Sequence, residues 1–309
     1  MTATRLLAAM MLLLVPAALT SCKDMSQLAA EIAKAMDDIQ AGEEEDAWPE
    51  ETPDGNQTAP AEKAYELPAI GTNDLIIRHT GFTLRYNKTH NTPDWSAWCL
   101  TAEHTDGPVE RSQKFWADPS LPSAYRVDYY DYKGSGYDRG HMCPAGDMKW
   151  NEKAMHDCFY MSNICPQTGT LNSGSWNRLE MKCRDWAKKE GRVYIVCGPV
   201  WEKGRHEQIG IDHSIDVPEG FFKAVLTMRK GHERAVAYYF RNDESQQKYR
   251  EALVTIDEIE RRTGLDLFAA VEDNLERKIE AECKHWCHSA DYTPPEDYRR
   301  SWHIKGGQQ

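Results

Sequence analysis

Two stretches decide how this chain is read: Asp131–Asp147, DYKGSGYDRGHMCPAGD, and Ser162–Glu180, SNICPQTGTLNSGSWNRLE. In the first, Gly134, Gly136, Gly140 and Gly146 permit tight backbone turns. Asp138, Arg139 and His141 place three chemically able side chains within four positions. Histidine suits general-base work near neutral pH, and an arginine fork two positions away suits an anion. In the second stretch Asn172, Trp176 and Glu180 recur every four residues, so on a helix they drift slowly around one face. An asparagine oxygen is a hard, neutral ligand for Mg²⁺, and a carboxylate beside it can hold one of the ion's waters. Taken singly, each stretch also has a plain structural reading: a polar turn with a hydrogen-bonded His, and a solvated helix face.

Around these stretches the pattern is of strands and helices without a regular βαβ repeat. Residues 75–78 and 82–86 read as short strands about a Thr80-Gly81 turn, and 95–101 as another. Residues 159–162, 193–197, 222–228 and 235–240 are apolar runs of strand length. Residues 171–189 carry a helical pattern ended by Gly191, and 245–262 and 265–280 read as two further helices about Thr263-Gly264. The expected fold class is α+β, with a mixed or antiparallel sheet flanked by helices. No phosphate-binding glycine loop, nucleophile elbow or H-E-x-x-H zinc motif is present in the sequence.

Together the two stretches resemble the DNA/RNA non-specific endonuclease family, the ββα-metal nucleases that include mitochondrial endonuclease G. Family members share a D-R-G-H turn followed by S-N-x-x-P-Q and L-N-x-x-x-W-x-x-L-E, and all three stand here in that order. Tyr86, Trp95, Leu100 and Thr101 are similar to the family's early strand pair, and Arg111–Phe115 with Asp118 to its phosphate-facing segment. Gly198-Pro199-Val200, Val217-Pro218, Phe222-Lys223 and 256–267 match later landmarks, so the resemblance covers roughly residues 70–275. It implies a ββα-metal (His-Me finger) active-site motif and a Mg²⁺-dependent endonuclease indifferent to sugar and sequence, with Mn²⁺ as a substitute ion. Carried over, His141 is the general base and Asn172 the one direct protein ligand of the metal. Glu180 holds the metal's waters and Arg139 binds the scissile phosphate. Asn163 supports the site, Asp138 braces the turn, and Arg111 positions phosphate. The implied partners are DNA and RNA, and a homodimer is compatible with the resemblance. Weighed against this are an inactive nucleic-acid-binding lipoprotein on the same fold and a phosphodiesterase for small substrates.

Charge and cysteine usage frame the rest. The 309 residues carry a formal net charge of −12. Residues 70–309 hold 33 basic and 36 acidic residues, so the body is at −3 and the acidity lies upstream. That body is not the basic footprint of a typical DNA binder, although Arg111, Lys114, Arg126, Lys133 and Arg139 offer local positive charge. With 40% hydrophobic residues, a disordered chain and a multi-span membrane protein are both excluded. Residues 1–22 read as an export signal, one Arg, then a short apolar run, ending in the lipobox-like Leu19-Thr20-Ser21-Cys22. Cys22 is the expected lipidation site, which would anchor an exported body to a bacterial membrane. Residues 23–69 read as an acidic, largely disordered tether, and 70–309 as a single domain with a helical C-terminal extension. Eight further cysteines, an even number in an exported chain, predict disulfides that include Cys143 and Cys165, with the pairing open. Cys283 and Cys287, beside His285 and His288, read as oxidised cysteines at a helix end rather than a metal cluster.

Overall fold

Both faces of the longest strands are apolar, and this sets the architecture. In chain order the strands are β1 (Leu75–His79), β2 (Phe82–Asn87), β3 (Thr92–Thr101), β4 (Asp138–His141), β5 (Ile164–Gln167), β6 (Arg192–Val200), β7 (Gln208–Ile209), β8 (Ile215–Asp216), β9 (Gly220–Thr227), β10 (Arg234–Arg241) and β11 (Leu253–Val254). The helices are α1 (Glu152–Asp157), α2 (Asn177–Glu190), α3 (Ile256–Thr263) and α4 (Asp273–Glu280). Seven strands pair antiparallel in the order β1-β2-β3-β6-β9-β10-β11. Val193, Ile195 and Cys197 of β6, Phe221 and Val225 of β9, and Val236, Tyr238 and Phe240 of β10 enter one core. Tyr194, Val196, Phe222, Ala224, Leu226, Ala235, Ala237 and Tyr239 enter the other. This is the period of two expected of a strand, hidden in sequence because neither face meets water.

The computed structural model describes residues 63–280. The export signal, Cys22, most of the acidic tether and the Cys283/Cys287 pair lie outside the described residues. Residues 63–69, expected to belong to the tether, instead join the body. Tyr65 packs edge-on against Tyr194 at 5.3 Å, and the Ala69 N–H donates to the Asp266 carbonyl at 2.8 Å. Among the described residues no helix is long and apolar enough to cross a membrane.

Several local expectations are corrected. The strand expected at 159–162 lies later, at β5, because Met161–Asn163 closes a 3₁₀ turn. The long helix expected over 245–262 is only α3, preceded by a 3₁₀ turn and β11, and that over 265–280 is only α4. Thr255 caps α3 by accepting from the Glu258 N–H at 3.0 Å, and Gly264 ends it at φ 70°. The six described cysteines, Cys99, Cys143, Cys158, Cys165, Cys183 and Cys197, are free thiols, so no disulfide stiffens the turn at Cys143 or the strand at Cys165. Five of the six are fully enclosed in the first core, where they pack as small apolar side chains. Burial explains their presence, and the even count carries no argument about redox compartment.

The second layer is built on the first core's face. β4 and β5 pair antiparallel, with Gly140 opposite Cys165 and His141 opposite Ile164. A Cβ at Gly140 would meet the buried Gln167 side chain at 2.1 Å, so any larger residue would displace Gln167. Asn163, fully buried, ties this ribbon to its surroundings. Its Oδ1 accepts from Ser96 Oγ and the Cys143 N–H, both at 2.9 Å. Its Nδ2 donates to the Cys143 and Cys158 carbonyls, both at 2.9 Å. All four hydrogen-bonding positions of the amide are used. Asn163→Ala leaves three backbone groups and a hydroxyl unpaired, and is expected to cost about 3 kcal/mol or more. Thermal denaturation should show a fall in Tm of roughly 6–12 °C.

Candidate active site

His141 on β4, Asn172 in the turn after β5 and Glu180 on α2 reach one cleft from successive parts of a ββα unit, and Arg111 enters it from the segment before β4. His141 ends β4, and its carbonyl accepts from Trp176 Nε1 at 3.2 Å, which fixes the backbone. Its ring lies between Phe159, edge-on at 4.6 Å, and Phe115 at 5.4 Å. Each of these rings carries a guanidinium, Arg111 over Phe159 at 5.1 Å and Arg139 over Phe115 at 4.7 Å. Burial, reinforced by the positive charges of Arg111 and Arg139, pushes the His141 imidazole down to about 3. It is therefore neutral at physiological pH. Its Nε2 is buried and has no hydrogen-bond partner among the described residues.

Asn172 does not lie on the helix that carries Glu180, as its spacing had implied. Residues Leu171–Trp176 form a wide π-type turn, broken at Gly174 (φ −95°, ψ −108°), and α2 begins only at Asn177. Trp176 faces the core. The Asn172 Nδ2 donates to Asp138 Oδ2 at 3.0 Å. A carboxylate only accepts, so this contact fixes the amide's orientation and leaves Oδ1 as its free atom. Asp138 thus does more than brace its turn, because it aims the oxygen expected to meet a metal.

Arg111, His141, Asn172 and Glu180 line one cleft of about 360 Å³, together with Asn177, Arg184 and the backbone at 144–146. Glu180 makes no hydrogen bond among the described residues, and burial raises its carboxyl to about 7. Asn177 and Arg184, missed in the sequence, sit one helical turn either side of Glu180 on α2. That spacing was the signal available. Arg184 Nη1 donates to Asp147 Oδ1 at 2.7 Å, and Trp98 Nε1 donates to Asp147 Oδ2 at 3.1 Å. Arg139 is exposed at the rim and does not line the cleft itself. Arg111 lines both this cleft and an adjoining groove with Gln113 and Lys149. Arg126 is spent on the Leu121 and Pro119 carbonyls. Asp131 accepts from the Ile211, Asp212 and His213 N–H groups, a structural duty for that conspicuous acid.

Comparison with known proteins now places the chain. Residues 62–274 match the model of the DNA/RNA non-specific endonuclease family. The chain belongs to that family. It is 36% identical over 223 residues to the mitochondrial nuclease EXOG of Danio rerio, covering 67% of this chain and 64% of that protein. It is 31% identical over 221 residues to a nuclease of Nostoc sp., covering 68% of this chain and 78% of the relative. The chain therefore spans just under two thirds of the zebrafish relative. The crystal structure of an EndoG/EndoGI complex contains a similar chain, at TM-score 0.63 and 30% identity, covering 70% of this chain and 91% of that one.

The cleft residues fit a hard divalent cation. Asn172 Oδ1 is oriented and free, the Glu180 carboxylate is unengaged, and the donors are all oxygen. With the Glu180 carboxyl raised to about 7, a cation held there would compete with a proton below that pH. Calorimetry should find Mg²⁺ affinity falling as pH drops from 8 to 6, by up to about tenfold per unit below 7, with Glu180→Gln weakening binding and flattening the slope. Asp138→Ala should weaken binding about 10–100-fold at all pH values by releasing the Asn172 amide.

Proposed function

We propose that this nuclease-family chain is a Mg²⁺-dependent endonuclease that hydrolyses phosphodiester bonds of both DNA and RNA with little regard for sequence. The observation that carries this reading is His141, a buried neutral imidazole whose Nε2 lacks a partner, in one cleft with Asn172, Glu180 and Arg111. A neutral imidazole with an open nitrogen can accept a proton from water, and a phosphate bound beside Arg111 and Arg139 would offset the positive charges that depress its basicity. The water oxygen then attacks phosphorus, the bond to the leaving oxygen breaks, and His141 holds the proton. Arg111 in the cleft and Arg139 at its rim, each stacked on a phenylalanine, offer planar forks to phosphate oxygens as charge builds. Asn172 and Glu180 would hold Mg²⁺, which supplies Lewis-acid stabilisation of the phosphate and leaving oxygen.

Two features support a polymeric, unspecific substrate. The cleft continues past Arg111 into the groove lined by Gln113 and Lys149, which suits a backbone running beyond the scissile phosphate. The charged groups of the cleft suit phosphate, and phosphate contacts position a nucleic acid without reading its sequence. Plasmid DNA and an RNA transcript should both be cleaved in Mg²⁺ and not in EDTA. His141→Ala should lower the rate by about 10²–10⁴-fold, the range for a lost acid–base group, and Asn172→Ala, which removes the oxygen that would hold the metal, should lower it too. Nucleic-acid binding without cleavage by folded wild-type protein would favour the inactive binding module. Turnover of bis-aryl phosphodiesters alone would favour a small-substrate enzyme.

A further inference from the structure

Away from the cleft, α3 and α4 bring three carboxylates together. Asp257 and Glu260 lie one turn apart on α3, and Glu280 is the last residue of α4. One oxygen from each lies within 4.8 Å of the others. Glu280 is only 8% exposed, yet it has no hydrogen bond or ion pair among the described residues. Its carboxyl is raised to about 8, first by burial and then by Glu260, Glu276, Asp257 and Asp266, all acidic. Glu260 and Glu276 are raised as well, by burial and acidic neighbours, opposed at Glu260 by the hydrogen bond its Oε1 accepts from the Leu267 N–H at 2.7 Å and at Glu276 by Arg277.

A carboxylate on a largely enclosed residue, set close to two others and with no cation paired to it among the described residues, is destabilising unless positive charge is supplied. We propose that Asp257, Glu260 and Glu280 bind a Ca²⁺ ion that fastens α4 to α3, a structural site separate from the catalytic cleft. Three carboxylate oxygens within 4.8 Å of one another can share one Ca²⁺, whose Ca–O distances are about 2.3–2.6 Å and whose shell takes about six to eight oxygens. Asp257 is exposed, which leaves room for waters to complete the shell. α3 buries Ile256 and Ile259, and α4 buries Ile279, in the second core against β10, so the ion would secure the helices that cover that face of the sheet.

The test uses the full chain carrying Asn172→Ala, which disables the cleft site, after treatment with chelator. The readouts are binding stoichiometry and Tm, neither of which depends on nuclease activity, so failure here is distinct from failure of the proposed reaction. Calorimetry should find one Ca²⁺ per chain, and Ca²⁺ at 100 times its Kd should raise Tm by about 5–10 °C. Adding Asp257→Asn or Glu280→Gln should remove both effects. In an otherwise wild-type chain, Asp257→Asn should leave Mg²⁺-dependent cleavage unchanged. The proposal is overturned if Asn172→Ala protein binds no Ca²⁺, or if binding and Tm shift survive both carboxylate substitutions. It is also overturned if Mg²⁺ or Mn²⁺ binds there in preference to Ca²⁺.

Discussion

The four hydrogen bonds of the Asn163 amide hold the active-site layer to the sheet. One side chain ties β3 through Ser96, the segment after β4 through Cys143, and the end of α1 through Cys158. All of this happens in a fully enclosed setting, where an unmade hydrogen bond is costly and a made one has a single geometry. His141 stands two residues before Cys143. Its position over the cleft therefore follows from where Asn163 pins the chain. The hydrogen bond from Trp176 to the His141 carbonyl adds a second constraint, from the turn that also carries Asn172. His141 and Asn172 are thus placed by one connected set of contacts.

The electrostatics of the cleft follow from the same packing. Burial between aromatic walls holds the imidazole neutral, and the guanidinium groups over those rings reinforce this. An arginine stacked on an aromatic ring loses little further freedom when it meets a phosphate. The opposite shift holds at Glu180, where burial raises the carboxyl to about 7. Arg184, anchored by Asp147, contributes positive charge to the same cleft. The body has a net charge of −3, yet Arg111 and Arg184 both line this cleft.

Much of this was legible in the sequence. The D-R-G-H turn, the S-N-x-x-P-Q strand and the L-N-x-x-x-W-x-x-L-E segment name the residues that converge, and the family they imply is the one the chain belongs to. The α+β class and most central strands were readable from apolar runs. Other features were set by tertiary contacts. Gly174 unwinds what periodicity alone reads as one helix, so Asn172 and Glu180 converge from a turn and a helix rather than from one face. The segment before α3 has helical composition but is drawn into a strand alongside β10 by the packing of Leu253 and Val254. The cysteine count suggested disulfides, whereas the described thiols are core-filling groups whose burial no spacing rule reveals. Asn177 and Arg184 were overlooked because polar residues on a helix ordinarily face water, and only the fold turns that face toward a cleft.

Chemical rescue of His141→Gly by free imidazole tests the central claim most directly. The variant should fold, bind Mg²⁺ as the wild type does, and cleave plasmid DNA at least about a hundredfold more slowly. Added neutral imidazoles should restore cleavage, saturating with concentration and following the basicity of the added base. Retention of near wild-type cleavage by His141→Gly would contradict the account, and so would a folded, metal-binding variant that no imidazole restores.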